Sequence, residues 1–167
     1  MDECAECGFR YADLPVARIA DVMGSFGARY AERLSGVDES HLRRRPAPQV
    51  WSALEYACHV RDVLLVQRDR ALCALVEDRP DFPRMHRDER VLLAGYADET
   101  PGDVLGQLAM AGQLIARVFR GLTAEQFARL LVYNYPEPAE HDVAWLGRHA
   151  VHEGEHHLGD VEQVLGR

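Results

Sequence analysis

Apolar residues recur at three- and four-residue spacing in four stretches of the chain, and the segments between them are broken by proline and charge. The first stretch runs through Val16, Ile19, Val22, Met23, Phe26, Tyr30 and Leu34, one stripe of an amphipathic helix. It enters at Asp13-Leu14-Pro15, where a first-turn proline loses no hydrogen bond, and stops at Ser35-Gly36. The second opens on Ser52-Ala53-Leu54-Glu55, a capping box in which hydroxyl and carboxylate satisfy free backbone N–H groups. It continues through Tyr56, Val60, Val63, Leu64, Leu72 and Leu75 to about Asp78. The third starts at Thr100-Pro101-Gly102-Asp103, carries Val104, Leu105, Leu108, Met110, Leu114, Ile115 and Val118, and ends at Gly121. The fourth begins near Asp142 and runs to about Leu165.

Pro46 and Pro48 make Val37 to Val50 a connection. Arg79 to Glu99 holds Pro80, Pro83 and many charges, with one apolar patch at Val91-Leu92-Leu93. A connection of that length permits a crossover that leaves the second and third helices parallel. Thr123-Ala124-Glu125-Gln126 caps a shorter segment carrying Phe127, Leu130 and Leu131, and Tyr133-Asn134-Tyr135-Pro136-Glu137-Pro138 reads as a loop. No stretch alternates convincingly as a strand, and no internal repeat is present. The pattern predicts an all-α fold, a four-helix bundle with long connections, in a single domain over residues 1–167.

Composition narrows the partners. A chain of 167 residues with 47% hydrophobic and 28% charged residues can bury a full core without disulfides. Its net charge of -8 argues against nucleic acid or an anionic membrane as main partner, and Arg43-Arg44-Arg45 reads as a solvated loop edge. No apolar run approaches bilayer length, and Met1-Asp2-Glu3-Cys4 lacks the pattern of a signal peptide, so the expected location is the cytoplasm. All 19 basic residues are arginine, the bias of high-GC coding, as in actinobacteria. Cys4-x-x-Cys7 is half of a zinc knuckle, but Cys58 and Cys73 lie on one predicted helix and cannot supply the other half. With no preceding strand a thioredoxin-type motif is disfavoured too, and an ordered turn or adventitious thiols is the preferred reading.

The candidate chemistry sits in the last helix. Five of the eight histidines (His141, His149, His152, His156, His157) fall there among carboxylates, and ligands one turn apart suit a divalent metal. Two pairs compete: His152 with His156, and Glu153 with His157. Projected at about 100° per residue, the apolar positions centre so that His157 lies roughly 45° and Glu153 roughly 85° away, with His156 about 145° off and His152 nearly opposite. Glu153 and His157 therefore border the core, and the other pair is expected to lean toward solvent. His152-Glu153-Gly154-Glu155-His156 also matches the H-E-x-x-H of zinc peptidases, which needs a third ligand that only Glu162 could offer downstream. A histidine-rich helix surface without metal is the plainer alternative. His59, two turns into the second helix beside Tyr56, Val63 and Val66, would ordinarily be a hydrogen-bonded packing residue.

Trp51-Ser52-x-x-Glu55-x-x-x-His59, followed much later by His152 to Val161, resembles the DinB/YfiT-like superfamily, which includes mycothiol-dependent maleylpyruvate isomerases and bacterial thiol S-transferases. The opening Cys-x-x-Cys-Gly-Phe is similar to that of actinobacterial members. The resemblance implies one divalent metal, commonly zinc or nickel, with one histidine from the second helix and two ligands a turn apart on the last. Carried to the matching positions, these are His59, Glu153 and His157; most members have histidine where Glu153 stands, but the mycothiol-dependent isomerases have glutamate. It further implies a metal-activated thiolate, with mycothiol as the first thiol to try, acting on an electrophilic substrate by S-transfer or isomerisation. A metal-dependent hydrolase and a non-catalytic metal-binding or stress-response bundle are the alternatives. Members often form homodimers. Arg61 and Asp62, close after His59, are expected either to orient ligands or bind an anionic substrate, with Arg61 the cofactor-binding candidate, or to form a surface ion pair. Asp160 is placed to accept from an imidazole N–H of His157, and Tyr133 and Tyr135 are pocket candidates.

Overall fold

In the computed structural model, which describes residues 3–167, each apolar stripe becomes one long helix. The helices are α1 (Val16–Leu34), α2 (Glu39–Leu42), α3 (Ala53–Val76), α4 (Arg87–Leu93), α5 (Pro101–Arg120), α6 (Ala124–Phe127) and α7 (Val143–Leu165). Local chemistry sets their starts. Ser52 and Glu55 form the expected capping box of α3, Thr123 and Gln126 form that of α6, and the Asp142 side chain accepts from the Trp145 N–H at 2.6 Å to begin α7.

The bundle is built from α1, α3, α5 and α7. Gly27 of α1 packs on Ala109 and Gly112 of α5 on the Met23 carbonyl, so α1 and α5 run antiparallel at close approach. Gly147 against Ile19 and Gly154 against Phe26 make α1 and α7 parallel. The carboxyl end of α3 meets the start of α7 through Arg129, which donates to the Ala74 carbonyl (2.5 Å) and accepts from the Val143 N–H (3.0 Å). The other ends bring His59 beside His157, so α3 and α7 are antiparallel and α3 and α5 parallel, as the long crossover permits. Ile19, Met23, Phe26, Tyr30, Leu64 and Ile115 are fully buried between them. No helix among the described residues is long and apolar enough to cross a membrane.

The expectation of no strands is corrected. β1 (Asp81–Phe82), β2 (Leu130–Asn134) and β3 (Pro138–Asp142) form a small sheet in which β1 pairs parallel with β2 and β2 antiparallel with β3. Leu130 and Leu131 belong to this hairpin, since α6 already ends at Phe127, and only residues 135–137 of the expected loop form a turn. The reason is local alternation: Leu131 and Tyr133 are buried while their neighbours face outward, a period of two over too few residues to stand out. The 77–100 connection is also more ordered than expected, holding α4 and a buried Tyr96 whose hydroxyl donates to Asp62 at 2.6 Å.

Candidate metal centre

The first turns of α3 and the later turns of α7 cross where His59, Glu153 and His157 meet. His59 Nε2 and His157 Nε2 both face Glu153 Oε2, at 3.8 and 3.7 Å, and the two imidazoles stand edge to face with centroids 4.9 Å apart. His59 is 2% exposed, packed on Trp51, and neither of its ring nitrogens has a hydrogen-bond partner. A buried histidine with no partner at either nitrogen is costly unless something else satisfies it. His157 stacks on Tyr56, and its Nδ1 lies 2.7 Å from Asp160 Oδ2, which holds Nδ1–H on that carboxylate and turns Nε2 toward Glu153.

Two neutral nitrogens and a carboxylate oxygen are a common donor set for a divalent cation. Zinc bond lengths place neighbouring ligand atoms about 3.4 Å apart around a tetrahedron, so the separations here need a few tenths of an ångström of adjustment. The residues fit the group. Electrostatics agree: burial opposes ionisation of Glu153, yet the imidazoles of His152, His157 and His59 around it hold its pKa well below the carboxylate range. Burial pushes the pKa of His59 down. Burial also disfavours protonation of His157, but Asp160 and then Glu153 outweigh it and raise its pKa to about 9.

A cavity of about 400 Å³ opens beside the triad, lined by His59, Glu153, His149, Tyr133 and, at its mouth, Arg84 and Arg87. Tyr135, from the hairpin turn, lies between those two guanidinium groups, 6.0 and 5.9 Å from its ring centre. An adjoining cleft of about 610 Å³ reaches Glu153 and His157 from the side of residues 3–11. His149 is held by the hydroxyls of Tyr11 (2.9 Å to Nδ1) and Tyr133 (3.1 Å to Nε2), and burial lowers its pKa to about 4.

His59, Glu153 and His157 are thus brought together, and Asp160 is where an acceptor was expected. Arg61 is elsewhere: its guanidinium is committed to Asp62, Glu99 and Gln107 at 2.6–2.9 Å, away from the triad. At two positions after His59 it lies some 200° round the helix, so it had to face another side. His152 and His156 do not lean into solvent as the helical phase implied. His152 is buried under Phe9 and Tyr11, and His156 is largely covered near Cys4, because residues 3–13 cover that side of α7. Glu162, the third ligand of the peptidase pattern, pairs with Arg33 at 2.5 Å. Sequence reasoning passed over His149, Tyr11, Arg84 and Arg87. His149 was within reach, one turn before Glu153 on the same face, whereas the others lie on segments with no periodicity to place them.

The fold and site define a helical bundle with a histidine–glutamate cluster, able to hold a metal ion, at the crossing of its second and last long helices. The sequence pattern of the DinB superfamily matches residues 26–161, and the chain belongs to that superfamily. Solved structures of similar fold include YfiT from Bacillus subtilis, a probable metal-dependent hydrolase with an unusual four-helix bundle topology. It is 17% identical, with a TM-score of 0.80 over 89% of this chain and 85% of that one. The mycothiol-dependent maleylpyruvate isomerase is 13% identical, with a TM-score of 0.72 over 90% of this chain. A mutant of that isomerase matches at 14% identity with the same TM-score. This chain spans 62% of the isomerase's length. No curated protein sequence matches the chain.

Proposed function

We propose that the protein is a metal-dependent enzyme that uses a small thiol, with mycothiol the first to try, as nucleophile toward an electrophilic substrate, by S-transfer or isomerisation. The observation that carries this reading is the His59–Glu153–His157 centre, open to a cavity on one side, with His59 otherwise unsatisfied. Zinc or nickel suits these donors, and such a cation lowers the pKa of a thiol or water that reaches it. His157, oriented by Asp160, and His59, wedged against Trp51, hold their ligand nitrogens in place. His149, kept neutral by burial and held by the Tyr11 and Tyr133 hydroxyls, lines the cavity 4.0 Å from Glu153. Arg87, half exposed and weakly paired, offers a cation to an anionic substrate at the mouth. Hydrolysis is the second reading, favoured by the resemblance to YfiT, which extends over 85% of that protein against 62% of the isomerase.

The test combines metal analysis with turnover. Wild type should consume mycothiol with an electrophile panel only when metal-loaded, and His59→Ala or His157→Ala should lose both the metal equivalent of this centre and the reaction while staying helical. Full metal content in both variants, or thiol consumption indifferent to metal, would refute the thiol reading. Thiol-independent, metal-dependent ester or amide cleavage would replace it with the hydrolase.

A further inference from the structure

The Cys4-x-x-Cys7 turn and the His152/His156 pair supply no ligand to the centre described above, although His152 Nδ1 lies 3.5 Å from Glu153. Residues 3–10 close on themselves: Glu3 and Arg10 bridge antiparallel, the Cys4 N–H donates to the Phe9 carbonyl, and the Gly8 N–H donates to the Cys4 carbonyl, both at 2.9 Å. Gly8 takes φ +71°, which favours glycine and lets the chain reverse behind Cys7. Phe9 packs on His152 (5.3 Å between ring centres) and Tyr11 stacks on Trp145 (5.8 Å), which lays the turn along α7. Cys4, Cys7, His152 and His156 then each offer one ligand atom, all within 4.8 Å of one another, and Cys4 Sγ lies 3.8 Å from His156 Nδ1.

We propose that Cys4, Cys7, His152 and His156 form a second metal site, a closed Cys2His2 zinc site that staples the N-terminal segment to α7. Zinc–sulfur and zinc–nitrogen bond lengths put tetrahedral ligand atoms about 3.3–3.8 Å apart, so the observed cluster needs at most about 1.5 Å of contraction between any two of them. The cluster also explains an otherwise unsatisfied atom. His152 is 7% exposed and its Nε2 is buried with no partner, while its Nδ1 is 3.2 Å from the Tyr11 hydroxyl. With Nε2 on the cation, Nδ1–H donates to Tyr11, and Tyr11 in turn donates to His149 Nδ1. His156 keeps Nδ1 toward the sulfur while its Nε2 faces Glu6 (3.4 Å) and Asp160 (3.7 Å), acceptors suited to an N–H. Burial raises the Cys4 thiol's pKa, but backbone N–H groups of Cys7 and Glu6 more than offset it, favouring thiolate. A Cys4–Cys7 disulfide would use neither histidine.

Four protein ligands leave no open position, so this site is structural. Glu3, Cys4, Glu6 and Tyr11 line the cleft that leads to Glu153 and His157, so fixing the turn fixes one wall of the approach to the first centre. Asp160 touches both sites, at 2.7 Å from His157 and 3.7 Å from His156.

The test is a Co²⁺ titration of the reduced, metal-stripped full chain, followed by absorption. Wild type should take up a second equivalent with thiolate-to-cobalt charge transfer in the near-ultraviolet and the strong visible bands of a tetrahedral site. Cys7→Ser, at an exposed position, should remain helical and lose that signature and that equivalent, whereas His157→Ala should keep the signature and lose the other. His152→Ala and His156→Ala should each weaken the thiolate site at least tenfold. Absence of charge transfer in reduced wild type would overturn the proposal, as would unchanged stoichiometry in Cys7→Ser, or thiolate binding of undiminished affinity in both histidine variants.

Discussion

Two glycines of α7 carry opposite expectations. A Cβ at Gly154 would stand 2.3, 2.4 and 2.8 Å from three ring carbons of Phe26, against the 3.5–4.0 Å of ordinary carbon contact, so ring or helix must shift by more than about an ångström. Phe26 is fully buried and Tyr30, its edge-to-face neighbour, bonds the Gly154 carbonyl at 2.9 Å, so the ring has nowhere to go. Overpacking of this kind costs about 1–3 kcal/mol, while replacing a helical glycine by alanine returns about 1 kcal/mol. The clash wins, for a net loss of up to about 2 kcal/mol, or a fall in Tm of up to about 8 °C for a chain of this size. Gly159, five residues on, is exposed with nothing within 4 Å of its Cβ position, so Gly159→Ala gains up to about 1 kcal/mol and raises Tm. Thermal unfolding of both variants by circular dichroism, with chelator present, reads the pair without interference from metal. Gly154→Ala should also weaken metal binding, because Glu153 adjoins the displaced residue and His157 lies one turn beyond. Equal stabilisation by both substitutions would mean that α1 and α7 do not approach in this register.

Glu55→Gln tests the start of α3. Glu55 accepts from Arg45 (2.5 and 2.7 Å) and from the Ser52 N–H (2.8 Å), and these bonds hold its pKa below the ordinary value although burial pushes the other way. The amide should lose about 1–2 kcal/mol at neutral pH. A lowered folded pKa contributes stability that is complete above the ordinary glutamate value and disappears as pH falls through the folded one, so the two denaturation curves should converge in acid; a difference constant down to low pH would contradict the assignment. Asp160→Asn should weaken metal binding at the first centre about tenfold to a hundredfold where proton competition is absent. In wild type the cation must displace a proton that His157 holds up to about pH 9, so affinity climbs as much as tenfold per pH unit toward that value and then levels. The asparagine variant should level earlier, so the deficit is largest near pH 9 and shrinks toward neutrality. Competition with a chromophoric chelator in a Cys7→Ser background measures it, and a ratio independent of pH would refute the role given to Asp160.

What was readable from residues alone follows from the range of each interaction. The four helices and their caps are local, and both capping boxes stand where Ser52/Glu55 and Thr123/Gln126 placed them. Glu153 and His157 were legible as neighbours because a 3.6-residue period fixes which side chains share a face. His152 and His156 were misplaced because a helical projection assumes a single buried direction, and α7 has two: the bundle core and residues 3–13. That second cover comes from 134 or more residues away in sequence and has no periodicity of its own. The hairpin escaped for a related reason, since β2 is defined by pairing with β1 and β3 and carries only two buried side chains.

The parts that hold the candidate metal and the parts that frame its doorway come from different kinds of chain. His59, Glu153 and His157 stand on long helices whose packing leaves little latitude, whereas Arg84, Arg87 and Tyr135 stand on the crossover and the hairpin turn. Selection can therefore redraw the doorway by rewriting the exposed positions of residues 79–99 and 130–142, provided that Val91, Tyr96, Leu131 and Tyr133, which pack into the core, are kept. The same division makes those two segments the natural place to diversify in a library, with the helices kept as an invariant chassis.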